Sequence, residues 1–135
     1  MPGTPEPGQG PNILIADTGN RRVIEVNAST KQIVWSYSDP QSLMAPAHAV
    51  RLADGNTLIT DAGFNRVIMI NPAMQPVWFF DDNGGLLRPR STTPTAFGTY
   101  LIADTENNRV LEVDRNKSIV GTVPNLARPL VLERL

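Results

Sequence analysis

Three stretches of this chain align with one another without a gap: NILIADTGNRRVIEVN from Asn12, NTLITDAGFNRVIMIN from Asn56 and TYLIADTENNRVLEVD from Thr99. Each carries an aspartate at the same offset, Asp17, Asp61 and Asp104, spaced 44 and 43 residues apart. An Arg-Val pair follows each one: Arg22-Val23, Arg66-Val67 and Arg109-Val110. A second anchor, Leu-x-x-Pro, recurs as Leu43 to Pro46, Leu86 to Pro89 and Leu126 to Pro129. Two copies carry a Val-Trp pair, Val34-Trp35 and Val77-Trp78; the third has Ile119-Val120-Gly121 there and a following loop three residues shorter. Self-similarity at a fixed period means that each unit is one supersecondary element, which buries its apolar surface only against its neighbours. The period therefore limits the fold before any single residue is weighed.

Each unit reads as four short strands. The innermost, strand A, is expected at Ala47 to Leu52, near Arg90 to Thr95 and at Leu130 to Leu135. Strand B is the LIAD run. Strand C is the RVIEV run, where Val23, Glu25 and Asn27 alternate with Ile24 and Val26, and strand D is the IVWSY or PVWFF run. β-Branched and aromatic residues fill these runs, while Gly, Asn, Asp and Pro fill the gaps. A four-stranded unit of ~40–45 residues is the size of a β-propeller blade. Segments such as NILIADTGNRRVIEV and NTLITDAGFNRVIMI resemble NHL-repeat propellers, over nearly the whole chain after Gln9. The Trp-bearing D strands are also similar to blades of arylsulfotransferase-like and quinoprotein-like propellers. The resemblance implies an all-β propeller fold and leaves function open, because such blades serve many roles.

On this reading a flexible Pro/Gly-rich tail covers 1–11. Blades follow at 12–38, 46–82 and 89–123, with a closing strand A at 129–135. Propellers close with roughly four to eight blades. Three leave sheet faces and edges uncovered. The first unit lacks a strand A, and the last strand A lacks a unit. Two copies head to tail would make six complete blades in a twofold ring, each chain's last strand finishing the other's first blade. The expected partner is therefore a second copy, and the alternative is a fragment of a longer propeller.

Bulk properties remove several function classes. With 12 basic and 13 acidic residues the net charge is −1, which gives no pull toward nucleic acid or an anionic membrane. There is no cysteine, hence no disulfide, thiolate zinc site or thiol catalysis. The opening MPGTPEPGQGP has neither the apolar run nor the positive segment of a secretory signal. No stretch approaches the ~18 apolar residues of a membrane span, so a cytoplasmic location is the default expectation. Nucleophile elbows, a Gly-rich phosphate loop and an HExxH zinc motif are absent, and no cofactor is expected.

The recurring Asp and Arg read as scaffold. A short Asp accepts backbone amides of the B–C turn, and an Arg fork pairs with a carboxylate of the same or the next blade. Asp17-Thr18-Gly19 after LIA resembles the catalytic loop of retroviral-type aspartic proteases, whose two aspartates share a proton across a dimer axis. The same position reads Asp61-Ala62-Gly63 and Asp104-Thr105-Glu106 in the other copies, which that chemistry leaves unexplained. Trp35 and Trp78 recur on strand D and read as packing between blades.

If repeated positions build the scaffold, the odd ones carry function. The B–C and D–A loops emerge on one common face of a blade. On the B–C loops Arg21, Phe64 and Glu106 break the pattern. On the D–A side His48, the one histidine, aligns with Ser91 and Val131, and Arg88, Arg90 and Arg128 lie nearby. A channel mouth ringed by Arg21, His48, Phe64, Arg88, Arg90 and Glu106 suits a carboxylate, a phosphate or a peptide terminus. One histidine makes no histidine-rich metal site, so no metal is expected. The expected function is non-catalytic binding of a small molecule or peptide at that mouth. The competing classes are a channel-mouth transferase or lyase and a purely structural assembly module.

Overall fold

A computed structural model describes residues 10–130 and 132–135 of the chain. Most of the tail read at 1–11, and Val131 in the closing strand, lie outside the described residues. The described part is all-β, in three antiparallel sheets. The first holds β1 (Ile13–Asp17), β2 (Arg22–Val26) and β3 (Ile33–Tyr37), in that order. The second runs β4 (Pro46–Arg51), β5 (Thr57–Asp61), β6 (Arg66–Ile70) and β7 (Pro76–Phe80). The third runs β8 (Ser91–Pro94), β9 (Thr99–Asp104), β10 (Arg109–Asp114) and β11 (Ile119–Val123).

The inner strands differ from expectation in detail. β4 begins one residue early, at Pro46, and β8 is limited to Ser91–Pro94. The strand A expected at Leu130 to Leu135 is corrected: none of its described residues is in a strand. A strand exists only through its ladder, and this segment joins no sheet among the described residues. It lies instead against β8, where the carbonyls of Leu130 and Leu132 accept the hydroxyls of Ser91 and Thr93.

The repeat extends to register. Each B–C hairpin closes on its Asp–Arg pair, Asp17 opposite Arg22, Asp61 opposite Arg66 and Asp104 opposite Arg109. Each C–D pair slips register at the same place, between Glu25 and Val26, Met69 and Ile70, and Glu112 and Val113. Such bulges bend a strand and increase its twist.

The core lies between sheets, not within one. Ile59, Ile68 and Ile70 of the middle sheet pack with Val23, Tyr37 and Leu43. On its opposite face Leu58, Val67, Met69 and Phe80 pack with Leu86, Tyr100, Ile102 and Leu111. Alternate residues of β5 and β6 thus serve opposite cores, which is why both strands are buried almost throughout. Each fully buried Leu or Ile side chain contributes about 1.5–3 kcal/mol.

Asp61 and Asp104 tie the second and third sheets to the loops that lead into them. Asp61 Oδ2 accepts the Met44 amide at 3.0 Å, and its Oδ1 accepts those of Ala45 and Gly63 at 2.8 and 3.0 Å. Asp104 Oδ1 accepts the Leu87 amide at 2.8 Å, and its Oδ2 accepts Asn107 Nδ2 and Arg109 Nε at 2.8 and 2.7 Å. Arg109 also reaches Asp82 at 3.0 Å. Arg66 does not follow the pattern. With Asp61 occupied by amides, its Nη2 donates to the Ser42 carbonyl at 2.8 Å.

Asp104 has a fully buried side chain. Asp104→Ala leaves the Leu87 amide without its acceptor and removes half of the Arg109 pairing, so unfolding free energy is expected to drop by about 1–3 kcal/mol. Urea denaturation of the two proteins measures the difference.

Candidate functional site

Where the inner strands approach one another, a cleft of ≈ 340 Å³ opens. Its polar wall is Thr18, His48, Arg88, Arg90, Ser91 and Thr93, and its apolar wall is small alanines with Leu130 and Leu132. His48 follows a register shift in β4, between Pro46 and His48. Its Nδ1 accepts the Thr92 amide of β8 at 3.3 Å. This requires an unprotonated Nδ1, so the neutral ring carries its proton on Nε2. Burial lowers the His48 pKa below its ordinary value.

Arg90 leads into β8, its amide bonded to the Ala103 carbonyl at 3.1 Å. Its Nε is buried without a hydrogen-bond partner among the described residues. Arg88 sits in the left-handed region at φ 47, held by Asn65 Oδ1, which accepts its amide at 2.8 Å. The next unit repeats this device: Arg128 has φ 50, and its amide donates to Asn108 Oδ1 at 3.0 Å. The side chains then part. Arg128 Nη2 pairs with Glu106 at 2.7 Å. Gly63 occupies the position in the middle unit that Glu106 occupies in the third, and Arg88 forms no ion pair among the described residues. Gly63 is glycine for packing: a Cβ there would lie 2.6 Å from Met44 Cβ and 2.9 Å from the Ala45 nitrogen.

Of the six residues singled out from sequence, His48, Arg88 and Arg90 line the cleft. Arg21, Phe64 and Glu106 do not. The Arg21 guanidinium donates to the Pro40 carbonyl at 3.4 Å, beside a separate hollow. The ring of Phe64 lies under the Arg66 guanidinium, 5.5 Å from its centroid. Glu106 is held by Arg128. The B–C turns present only their first residue, Thr18 or Ala62, to the cleft. Sequence reasoning left out Thr18, Ser91 and Thr93. The cue for the last two was a run of hydroxyls, Ser91-Thr92-Thr93, on an innermost strand.

Asp17 does not resemble a protease nucleophile site in its electrostatics. Its Oδ2 accepts Asn20 Nδ2 at 2.9 Å and Arg22 Nε at 2.7 Å. Those contacts lower its pKa, whereas a proton-sharing dyad needs one raised pKa. No group of three or more His, Asp or Glu able to hold a metal occurs among the described residues. A larger hollow of ≈ 480 Å³ lies at the rim, between residues of β7 and β11, away from the inner strands.

No protein-family model and no curated protein matches this chain. Solved structures match it in fold. A streptogramin B lyase superposes with a TM-score of 0.71 at 15% identity, covering 88% of this chain and 40% of that one. Virginiamycin B lyase from Staphylococcus aureus gives 0.71 at 16%, covering 90% and 42%. The WD40 β-propeller domain of Doa1 gives 0.72 at 11%, covering 87% and 38%. The sheets are therefore β-propeller blades, and the chain spans about two fifths of the length of the propellers it matches.

The lowered His48 pKa fixes a sign for pH dependence. Between that value and the ordinary 6.5 the unfolded chain binds the proton and the folded chain does not. Stability should be flat above this window and fall as pH drops through it, and His48→Gln should remove that part of the slope. NMR titration of the one imidazole checks the direction: a midpoint at or above 6.5 contradicts it.

Proposed function

We propose that this chain is half of a six-bladed, NHL-type propeller built from two copies, and that it binds a small carboxylate- or phosphate-bearing ligand, such as a peptide terminus, at the cleft of His48, Arg88 and Arg90. The observation that carries the ligand class is Arg90. It lines the cleft and its side chain makes no hydrogen bond or ion pair among the described residues, so its guanidinium suits a ligand oxyanion. The neighbouring Arg88 is likewise without a carboxylate among the described residues, and no acidic residue lines the cleft. Arg forks suit carboxylate and phosphate in bidentate geometry. Neutral His48 adds an Nε2–H donor without adding charge.

The reading is of binding without turnover. The cleft offers one titratable base, His48, whose Nδ1 is already engaged. Its serine hydroxyl is committed to the Leu130 carbonyl. A second reading, a channel-mouth lyase or transferase, requires His48 to release the Thr92 amide before its Nδ1 takes a proton. A lyase is among the propellers of similar fold. The two differ at His48→Gln, which would abolish turnover in a lyase and only weaken binding in a receptor.

Thermal unfolding with phosphate, citrate and a short peptide, as free acid and as amide, tests the ligand class. A ligand that binds the native state raises Tm with its concentration. Phosphate, citrate or the free-acid peptide should do so, the amidated peptide should do so less than its free acid, and Arg90→Met should lose the shift. No shift from any of these anions, or an equal shift in Arg90→Met, would reject the assignment.

A further inference from the structure

Equivalent positions in the three blades differ in a consistent way at the two ends of the chain. Ile59 and Ile102 are 0% exposed, while their counterpart in β1, Ile15, is 36% exposed. Leu43 and Leu86, the leucines of the first two Leu-x-x-Pro loops, are 0% and 2% exposed, while Leu126 is 36% exposed. The first blade thus bares the face that the later blades bury against a preceding one. The loop after β11 carries a leucine that elsewhere fills such a face. Val123 of β11, equivalent to buried Phe80, is also exposed on the side away from the middle blade.

Polar groups mismatch in the same places. Asp61 and Asp104 each accept an amide from the Leu-x-x-Pro loop through Oδ1. The bonds of Asp17 are both to Oδ2, and its Oδ1 accepts nothing among the described residues. A Cβ on Gly63 would strike Met44, yet a Cβ on the equivalent Gly19 meets nothing within 4 Å. Conversely, Leu126–Pro129 is a Leu-x-x-Pro loop with no aspartate beneath it.

The segment after that loop is already held where an inner strand belongs. Thr105 Oγ1 donates to the Pro129 carbonyl at 2.7 Å, as Thr18 does to Pro46 at 2.6 Å. Arg134 pairs with Glu112 at 3.0 Å, as Arg51 does with Glu25 at 3.0 Å. Among the described residues, one end therefore offers a segment positioned as an inner strand without a sheet, and the other offers a sheet, β1-β2-β3, without an inner strand.

We propose that residues 126–135 of one copy dock on the first blade of a second copy. Leu126–Pro129 then sits over Asp17 and Gly19, and 130–135 adds to the free edge of β1. This rests on the two-copy ring read above and names the contact that closes it. The register follows from β4 and β5, where Pro46 lies opposite Asp61 and Ala49 opposite Ile59. It sets Pro129 opposite Asp17 and Leu132 opposite Ile15 of the other copy. Ile15 and Leu126 each gain an apolar cover, and the unpaired backbone of an edge strand gains a ladder.

The chain has no cysteine, so single-cysteine variants of the full chain report the contact. Ala127 holds the place over Gly19 that Met44 holds over Gly63, where an added Cβ would lie 2.6 Å from the Met44 Cβ, so the loop gives by about 1 Å to reach the Cβ–Cβ spacing of about 3.8 Å that a disulfide needs. Gly19→Cys and Ala127→Cys, unfolded together, refolded and oxidised, should give a disulfide-linked pair containing one of each. Neither variant should cross-link alone. Asp17→Ala, which leaves the loop amides without their acceptor, should raise the dimer Kd roughly 10-fold or more. Native mass of the unmodified chain separates the two ideas. A two-chain mass with the mixed cross-link and the weakened Asp17→Ala dimer supports the docking. A two-chain mass with neither overturns the docking and leaves some other dimer. A monomer overturns both.

Discussion

The second and third blades are each joined to the chain that enters them by one buried carboxylate. Asp61 and Asp104 end their B strands inside the protein, where a charge is costly unless every lone pair is used. They are satisfied by amides of the Leu-x-x-Pro loop, amides of the B–C turn and an arginine or asparagine. The bond to the loop is long-range in sequence and fixes where strand A begins. The leucine of the same loop enters the core between that blade and the previous one. Blade geometry and blade-to-blade packing are thus set by one short motif acting through two different forces.

The cleft follows from that arrangement. The lead-in loops place Arg88 and Arg90 at the start of β8, and the shift in β4 sets His48 against Thr92. The scaffold neutralises several arginines with acids of the repeat: Arg22 on Asp17, Arg109 on Asp104 and Asp82, Arg128 on Glu106. Arg88 escapes because Gly63 stands in for the acid, and that glycine is required by the close approach of Met44. A packing requirement in the scaffold so leaves positive charge at the inner strands. Positive charge that the fold does not neutralise is what a binding site for anions requires.

Much of this was legible in the sequence because it recurs. The aspartates, the Arg-Val pairs and the Leu-x-x-Pro loops located the B and C strands and the lead-ins to strand A. His48 was legible as a departure from the repeat beside an inner strand, and Arg88 and Arg90 as basic residues lying near it. Arg21, Phe64 and Glu106 departed from it too, yet lie outside the cleft. A B–C turn that folds into a single 3-10 turn with a left-handed last residue presents only its first position inward, and alignment carries no such direction. The hydroxyls of Ser91 and Thr93 were passed over because a polar residue on a short strand has no period of its own to mark it.

What the sequence determined by itself is the unit: its length, its four runs of β-forming residues and the carboxylate that closes it. These follow from local chemistry, because turn residues, β-branched runs and a capping aspartate act over a few positions. What only the tertiary structure decided is the relation between units. The bulge repeated in each C–D pair, the two-sided burial of β5 and β6, the exposure of Ile15 and Leu126 and the unmet Arg90 nitrogen all depend on which blade stands beside which. A residue acquires such a property from neighbours some forty positions away, and the chain records their identity but not the distance at which they meet.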